Sequence, residues 1–182
     1  MRSGLSVRHY HRKRRDATPV EFAWRVHTAL EGWTAKVDVK ASILLAFQGG
    51  AFIFAATSRD AVTASVDRRP LLVAVSGMAL LTAAMALAAT VILPVLGSAR
   101  RHRADYPNEW IYFGHVRLWE STELAARLSR LSDGDQVQAL CAQLVRMSRL
   151  NWRKHRLLQA SLLTTLLAMA VLMVAVMIRA GS

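Results

Sequence analysis

At 182 residues the chain has room for one domain, but 53% of it is apolar and that fraction is concentrated in charge-free runs, which excludes an ordinary soluble core. The formal charge of +12 suggests nucleic acid at first sight, yet twenty of the twenty-four Lys and Arg lie in residues 1–40 and 98–156. Basic residues held to two segments separated by two apolar runs read as membrane topology and attraction to anionic lipid, not as a nucleic-acid footprint.

Residues 1–17, with Arg8-His9-Tyr10-His11-Arg12-Lys13-Arg14-Arg15, form a basic arm expected to lie against headgroups. His9 and His11 lack further ligands nearby, so no metal is expected there. Arg14-Arg15 is followed by Asp16-Ala17-Thr18-Pro19 and not by an apolar stretch, so no export signal is read and the first span is expected to act as an uncleaved anchor.

Residues 18–58 are expected to form an amphipathic helix that runs into the first span. Thr18-Pro19-Val20-Glu21 is a capping box with proline in the first turn, and Phe22, Val26, Ala29, Leu30, Trp33 and Val37 share one predicted face. The charge-free run Ala41–Ser58 follows, with Gly49-Gly50 expected to permit close helix approach and Gln48 expected to point at a neighbouring helix. A short external loop, 59–70, leads to the Ala-rich second span, 71–97, closed by Pro94 and Gly97.

Residues 98–156 are the one sizeable water-exposed segment, and a helical cytoplasmic insert is expected. Aromatic residues Tyr106, Trp110, Tyr112, Phe113 and Trp119 come first, then a helix from Ser121 with Leu124, Leu128 and Leu131 on one side, broken at Ser132-Asp133-Gly134. From Asp135 to Ile178 there is no Pro or Gly, so this stretch reads as one rod. Its polar half presents Val137, Leu140, Cys141, Leu144, Ser148, Asn151/Trp152 and His155 near helical spacing, with Cys141 expected as a small core residue. Arg153-Lys154-His155-Arg156 makes a basic collar, and the third span, 157–178, has 22 residues without a charge, enough at about 1.5 Å each to cross roughly 30 Å of hydrocarbon.

The reading is thus an all-α membrane protein with three transmembrane helices and a small helical cytoplasmic portion. By the positive-inside rule the N-terminus and the insert face the cytoplasm of an inner (cytoplasmic) membrane, and the C-terminus lies outside. Catalysis is not expected: no nucleophile elbow, H-E-x-x-H, P-loop or intramembrane carboxylate pair is present, and no cofactor is implied.

Three pieces, in this order relative to the spans, resemble the transmembrane effectors of bacterial Pycsar anti-phage systems. They are Asp38-Val39-Lys40-Ala41-Ser42-Ile43-Leu44-Leu45, Ile111-Tyr112-Phe113-Gly114-His115, and Gln143-Leu144-Val145-Arg146-Met147-Ser148 followed by Lys154. The similarity runs from about Pro19 to Ile178, with His155 where the family pattern has a tyrosine. The resemblance implies a partner pyrimidine cyclase that makes cyclic CMP or cyclic UMP on infection. It further implies an effector that responds by impairing the membrane, so that the cell stops before phage are released.

A cyclic nucleotide presents one phosphate charge and a flat base, so its site needs a cation and a stacking surface. Trp110, Tyr112 and Phe113 offer stacking, Gly114 a close backbone approach, and Arg117, Arg146 and Lys154 a phosphate contact. The same aromatics equally suit the core of a small helical layer or a headgroup anchor. Asp38 and Lys40 at the mouth of the first span are candidates for a latch with the insert, or for a hydrated flank. Three spans are too few to enclose a wide pore, so a homo-oligomer is expected, with membrane lipid as its surroundings and no nucleic-acid partner. The alternative is a membrane scaffold or small channel subunit that binds a protein partner through the insert.

Overall fold

The computed structural model describes residues 17–58, 68–94 and 98–181. The basic arm with His9 and His11, most of the external loop, and Gly97 lie outside the described residues. Three long helices dominate: α1 (Pro19–Thr57), α2 (Arg69–Ile92) and α6 (Asp133–Ala180). Between α2 and α6 come α3 (Ala99–Asp105), a 3₁₀ turn (Tyr106–Asn108), α4 (Phe113–Val116) and α5 (Ser121–Leu128). No strand occurs among the described residues, and α1, α2 and α6 are each long and apolar enough to cross a membrane. This is an all-α, membrane-embedded protein.

Local chemistry sets where the helices begin. Thr18 Oγ1 accepts from the Glu21 amide at 3.2 Å while Glu21 Oε2 accepts from the Thr18 amide at 3.1 Å, so two otherwise orphaned donors are satisfied. Ser132 and Asp135 repeat the arrangement at the start of α6, and the hydrogen bonds from Ser132 hold the Asp135 carboxyl below its usual range. With no helix breaker after Gly134, α6 runs 48 residues, about 70 Å at the standard rise. Nearly half of it is enough for the membrane, and the rest stands beside the insert.

Packing follows a 3.5-residue seam. On α1 the inward residues are Ala23, His27, Leu30, Thr34, Val37, Ala41, Leu44 and Gln48, alternating steps of four and three. On α6 a similar spacing carries Asn151, Lys154, Leu158, Ser161, Thr165, Ala168, Leu172 and Ala175. Such a repeat drifts against a straight 3.6-residue helix, so the pair must coil left-handedly to keep the seam closed. Contacts of Thr34 with Asn151, Asp38 with Lys154 and Gln48 with Thr165 advance together along both helices, so α1 and α6 are parallel. Antiparallel to both, α2 packs most extensively on α6 through Gly77, Leu81, Ala84, Ala88 and Val91. Val37, Ala41 and Val91 close an apolar plug with Ile92, Leu157 and Leu158 where the helices enter the membrane from the insert side.

The structure differs from the sequence expectation in which faces meet. Leu30 and Val37 are buried, but Phe22 and Trp33 are 63% and 54% exposed, because α6 takes the seam one residue over, at Ala23, His27 and Thr34. Small and hydrogen-bonding side chains there match a partner face that is itself polar: Gln143, Asn151 and Lys154 are buried, whereas Cys141, Trp152 and His155 are exposed. Gly49 and Gly50 would meet nothing within 4 Å if given a Cβ, so they do not mediate the helix contact expected of them. That role belongs to Gly77, where a Cβ would lie 2.8 Å from Leu172 Cδ2 and 3.3 Å from the Leu172 amide nitrogen. Gln48 does face a neighbouring helix, as expected.

Gly77→Val should therefore destabilise the bundle by about 1–3 kcal/mol through overpacking, read as a lowered melting temperature of the purified protein in detergent. Gly50→Val should not; equal loss at both positions would contradict the assigned contact.

Candidate functional site

The insert folds back on the N-terminal halves of α1 and α6. Between them lies a cavity of about 320 Å³ lined by Trp24 from α1, Trp110 and Ile111 from the loop before α4, Leu128 and Leu131 at the end of α5, and Gln136 and Leu140 from α6. The cavity is within the size range of ordinary small-molecule pockets. The Arg127 guanidinium lies 4.8 Å over the Trp110 ring, so a cation stands against one of the two indoles that line the cavity. Beside it, Arg146 on α6 holds Glu109 with two hydrogen bonds of 2.6 and 2.7 Å and also donates to Gln143. This bidentate pair fixes the loop that carries Trp110 to the rod.

The expected site residues fall into three places. Trp110 lines the cavity, and Arg146 sits next to it through Glu109. Tyr112, Phe113 and Gly114 lie in a second cluster with His102 and His115: Tyr112 and Phe113 ring centroids are 4.5 Å apart, and His102 meets His115 edge-on at 4.9 Å. A side chain at Gly114 would clash with the Tyr112 ring, so this glycine answers to internal packing around α4. Phe113 is exposed, and Arg117 bonds back to the Gly114 carbonyl at 3.2 Å. Trp119 donates to the Glu109 carbonyl and packs on Tyr106, whose hydroxyl meets Glu123.

Lys154 stands in the third place, at the membrane mouth. Its Nζ donates to Asp38 Oδ1 at 2.6 Å, with the lysine side chain almost wholly buried and the aspartate about one-third exposed. One turn nearer the insert, Asn151 donates to the Leu30 carbonyl and accepts from Thr34. Deeper in the span, Gln48 Nε2 donates to Ser161 at 3.0 Å and to Thr165 at 2.7 Å. The α1–α6 seam is therefore a polar ladder that runs from the insert into the membrane. Lys40 is exposed and takes no part in it.

Sequence reasoning missed Trp24, Arg127 and Gln136. Trp24 neighbours Phe22 on a helix read as a simple amphipathic one, and only the return of the insert brings it to Trp110. Among the described residues, no group of three or more metal-ligating side chains comes together.

His115 is 5% exposed, and neither ring nitrogen has a hydrogen-bond partner. Burial is the main cause that holds its pKa below 6.5; Glu109 and Asp105 oppose the shift, while His102 and Arg146 add to it. A histidine buried neutral binds fewer protons than it does in the unfolded chain. The α4 region should thus be fully stable above about pH 6.5 and lose stability as pH falls below that. Faster amide exchange over residues 98–120 at pH 5.5 than at pH 7.5, after correction for intrinsic rates, would show this, and His115→Phe should flatten the difference. For the Asp38–Lys154 pair, Asp38→Asn leaves a buried ammonium and should cost about 1–2 kcal/mol, a range lowered for the part-exposed carboxylate. Combining Asp38→Asn with Lys154→Met should recover most of it, as read by thermal unfolding across the double-mutant cycle.

A family model described as the Pycsar effector protein domain (PycTM) matches residues 22–181. The match takes in nearly all of every long helix, the insert, the Trp24–Trp110 cavity and the Asp38–Lys154 pair. Searches of curated proteins and of solved structures found no match. With the family model covering most of the chain and three membrane-competent helices beneath a folded insert, the chain belongs to the Pycsar effector protein family and is a membrane effector of that defence system.

Proposed function

We propose that this effector is switched on by a cyclic pyrimidine nucleotide, cyclic CMP or cyclic UMP, supplied by a partner cyclase. It then impairs the cytoplasmic membrane, and infection is aborted. The observation that carries the reading is a small cavity between the insert and the rod lined by Trp24 and Trp110, with Arg127 over the Trp110 ring, in a chain of the Pycsar effector family. The base stacks between indoles, and Arg127, which covers Trp110, turns to the phosphate. Arg146 takes part only if it releases Glu109, which would loosen the loop from α6. Tyr112, Phe113, Gly114 and Arg117 act one step removed, by holding the insert together. Lys154, Asp38 and Lys40 act at the membrane mouth.

In this reading the insert and the N-terminus face the cytoplasm, where the nucleotide is made, and the C-terminus lies outside. Ligand entry shifts the insert, α6 carries the displacement past the Asp38–Lys154 pair, and spans from several copies rearrange into a leak. Action is by membrane disruption and involves no turnover of the nucleotide.

The test uses purified protein in liposomes that hold a potassium gradient, with a potential-sensitive dye. Micromolar cyclic CMP or cyclic UMP should collapse the potential, while cyclic AMP should not. Trp110→Ala and Arg127→Ala should each raise the nucleotide concentration needed by at least tenfold. Asp38→Asn should alter the leak at saturating nucleotide without loss of membrane insertion. No response to either pyrimidine nucleotide, or an unchanged dose dependence in both cavity variants, would overturn the reading.

A further inference from the structure

At the end of the bundle remote from the insert, the three long helices part. Gly77 against Leu172 is a tight crossing, and beside it a cavity of about 620 Å³ opens between α1, α2 and α6, beginning at the level of Met78 and Met169. Apart from Ser58 at the end of α1 its wall is hydrocarbon, contributed by Phe54 and Ala55 of α1, Leu71 and Ala74 of α2, and Met173 and Val176 of α6. Ala55 and Ala74 leave unfilled the volume that larger side chains would take. From Ala51 to Ser58 the cavity follows α1 for about 10 Å, which places it within one leaflet's share of the hydrocarbon. Directly ahead of Leu71, at the headgroup end, stand the exposed Arg68 and Arg69.

We infer that this cavity is a lipid site that holds one acyl chain of an anionic phospholipid from the leaflet opposite the insert, with its phosphate against Arg68. Three observations select this occupant. The wall has the polarity of the bilayer interior, so nothing in it calls for a polar ligand. A void open to hydrocarbon at that depth forfeits dispersion contacts on every lining side chain until an acyl chain enters. Arg68 gives the mouth a charge that favours anionic over zwitterionic headgroups. Helix association in membranes gains nothing from excluding lipid as such, so a chain wedged between three helices is part of their packing. The inference rests on membrane embedding and stands apart from the nucleotide reading.

Native mass spectrometry of the detergent-purified protein, offered equal phosphatidylglycerol and phosphatidylethanolamine, decides it. One phospholipid should be retained per chain, with phosphatidylglycerol favoured by at least fivefold. Ala55→Leu and Ala74→Leu fill the cavity and should cut the retained lipid about tenfold, whereas Leu163→Phe, on the 66% exposed outer face of α6, should not. The variant Arg68→Gln should keep the lipid and lose the headgroup preference. Undiminished lipid in a folded cavity-filled variant overturns the site. So does a lipid-free wild type in which Phe54→Cys forms a disulfide between two copies, since a second chain then occupies the cavity. If neither leucine variant folds, unchanged headgroup preference in the arginine variant overturns it instead.

Discussion

The parallel contact between α1 and α6 is the constraint on which the rest of the molecule depends. It is the one long-helix interface that exists on both sides of the membrane boundary, since α2 accompanies the pair only within the hydrocarbon. In water its apolar members, Leu30 and Val37, are supported by the hydrophobic effect; in lipid that support vanishes, and hydrogen bonds and close packing must replace it. The side chains follow this change of solvent. Asn151 and Lys154 find partners at the mouth, and Gln48 finds two hydroxyls in the span. A seam with continuous 3.5-residue spacing lets one supercoil serve both environments.

This arrangement explains why the insert can be small and still matter. Its helices α3, α4 and α5 are too short to be stable alone, and they are ordered by aromatic contacts among themselves and by a few attachments to the long helices. Glu109 to Arg146 is the strongest of these attachments, and the cavity beside Trp110 is its neighbour. Under the proposed function, a ligand at that position would compete for the groups that fasten insert to rod. Any resulting change at α6 reaches Asn151 and Lys154 through uninterrupted helix, because no glycine or proline between Asp135 and Lys154 offers a hinge.

Much of the architecture is legible in the chain because its signals are local. Run length shows the spans, Thr18 and Ser132 with their acidic partners mark two of the long helix starts, and the absence of breakers after Gly134 gives the rod. The buried faces are less legible. In α1 two seams lie one residue apart, and the more apolar one, with Phe22 and Trp33, is left exposed, because hydrogen bonding and not hydrophobicity settles the partner face of α6. The Asp38–Lys154 pair joins two motifs singled out in the sequence, yet their pairing depends on α1 and α6 being parallel neighbours, which no local pattern encodes. Trp24 is invisible as a cavity residue for the same reason: its contact with the Trp110 region is made only by the long return of the chain.

Gln48 carries a consequence of its own. Ser161 gives its proton to the Ala84 carbonyl and Thr165 gives its proton to the Ser161 carbonyl, so both hydroxyls can only receive from the amide of Gln48. The amide oxygen is left buried without a donor. In hydrocarbon an unanswered acceptor is a standing penalty of a few kcal/mol, borne by the closed three-helix bundle. Under the proposed activation, an arrangement of the spans that admitted even a single water to this depth would relieve it. The penalty would then lower the cost of leaving the closed bundle by the same few kcal/mol.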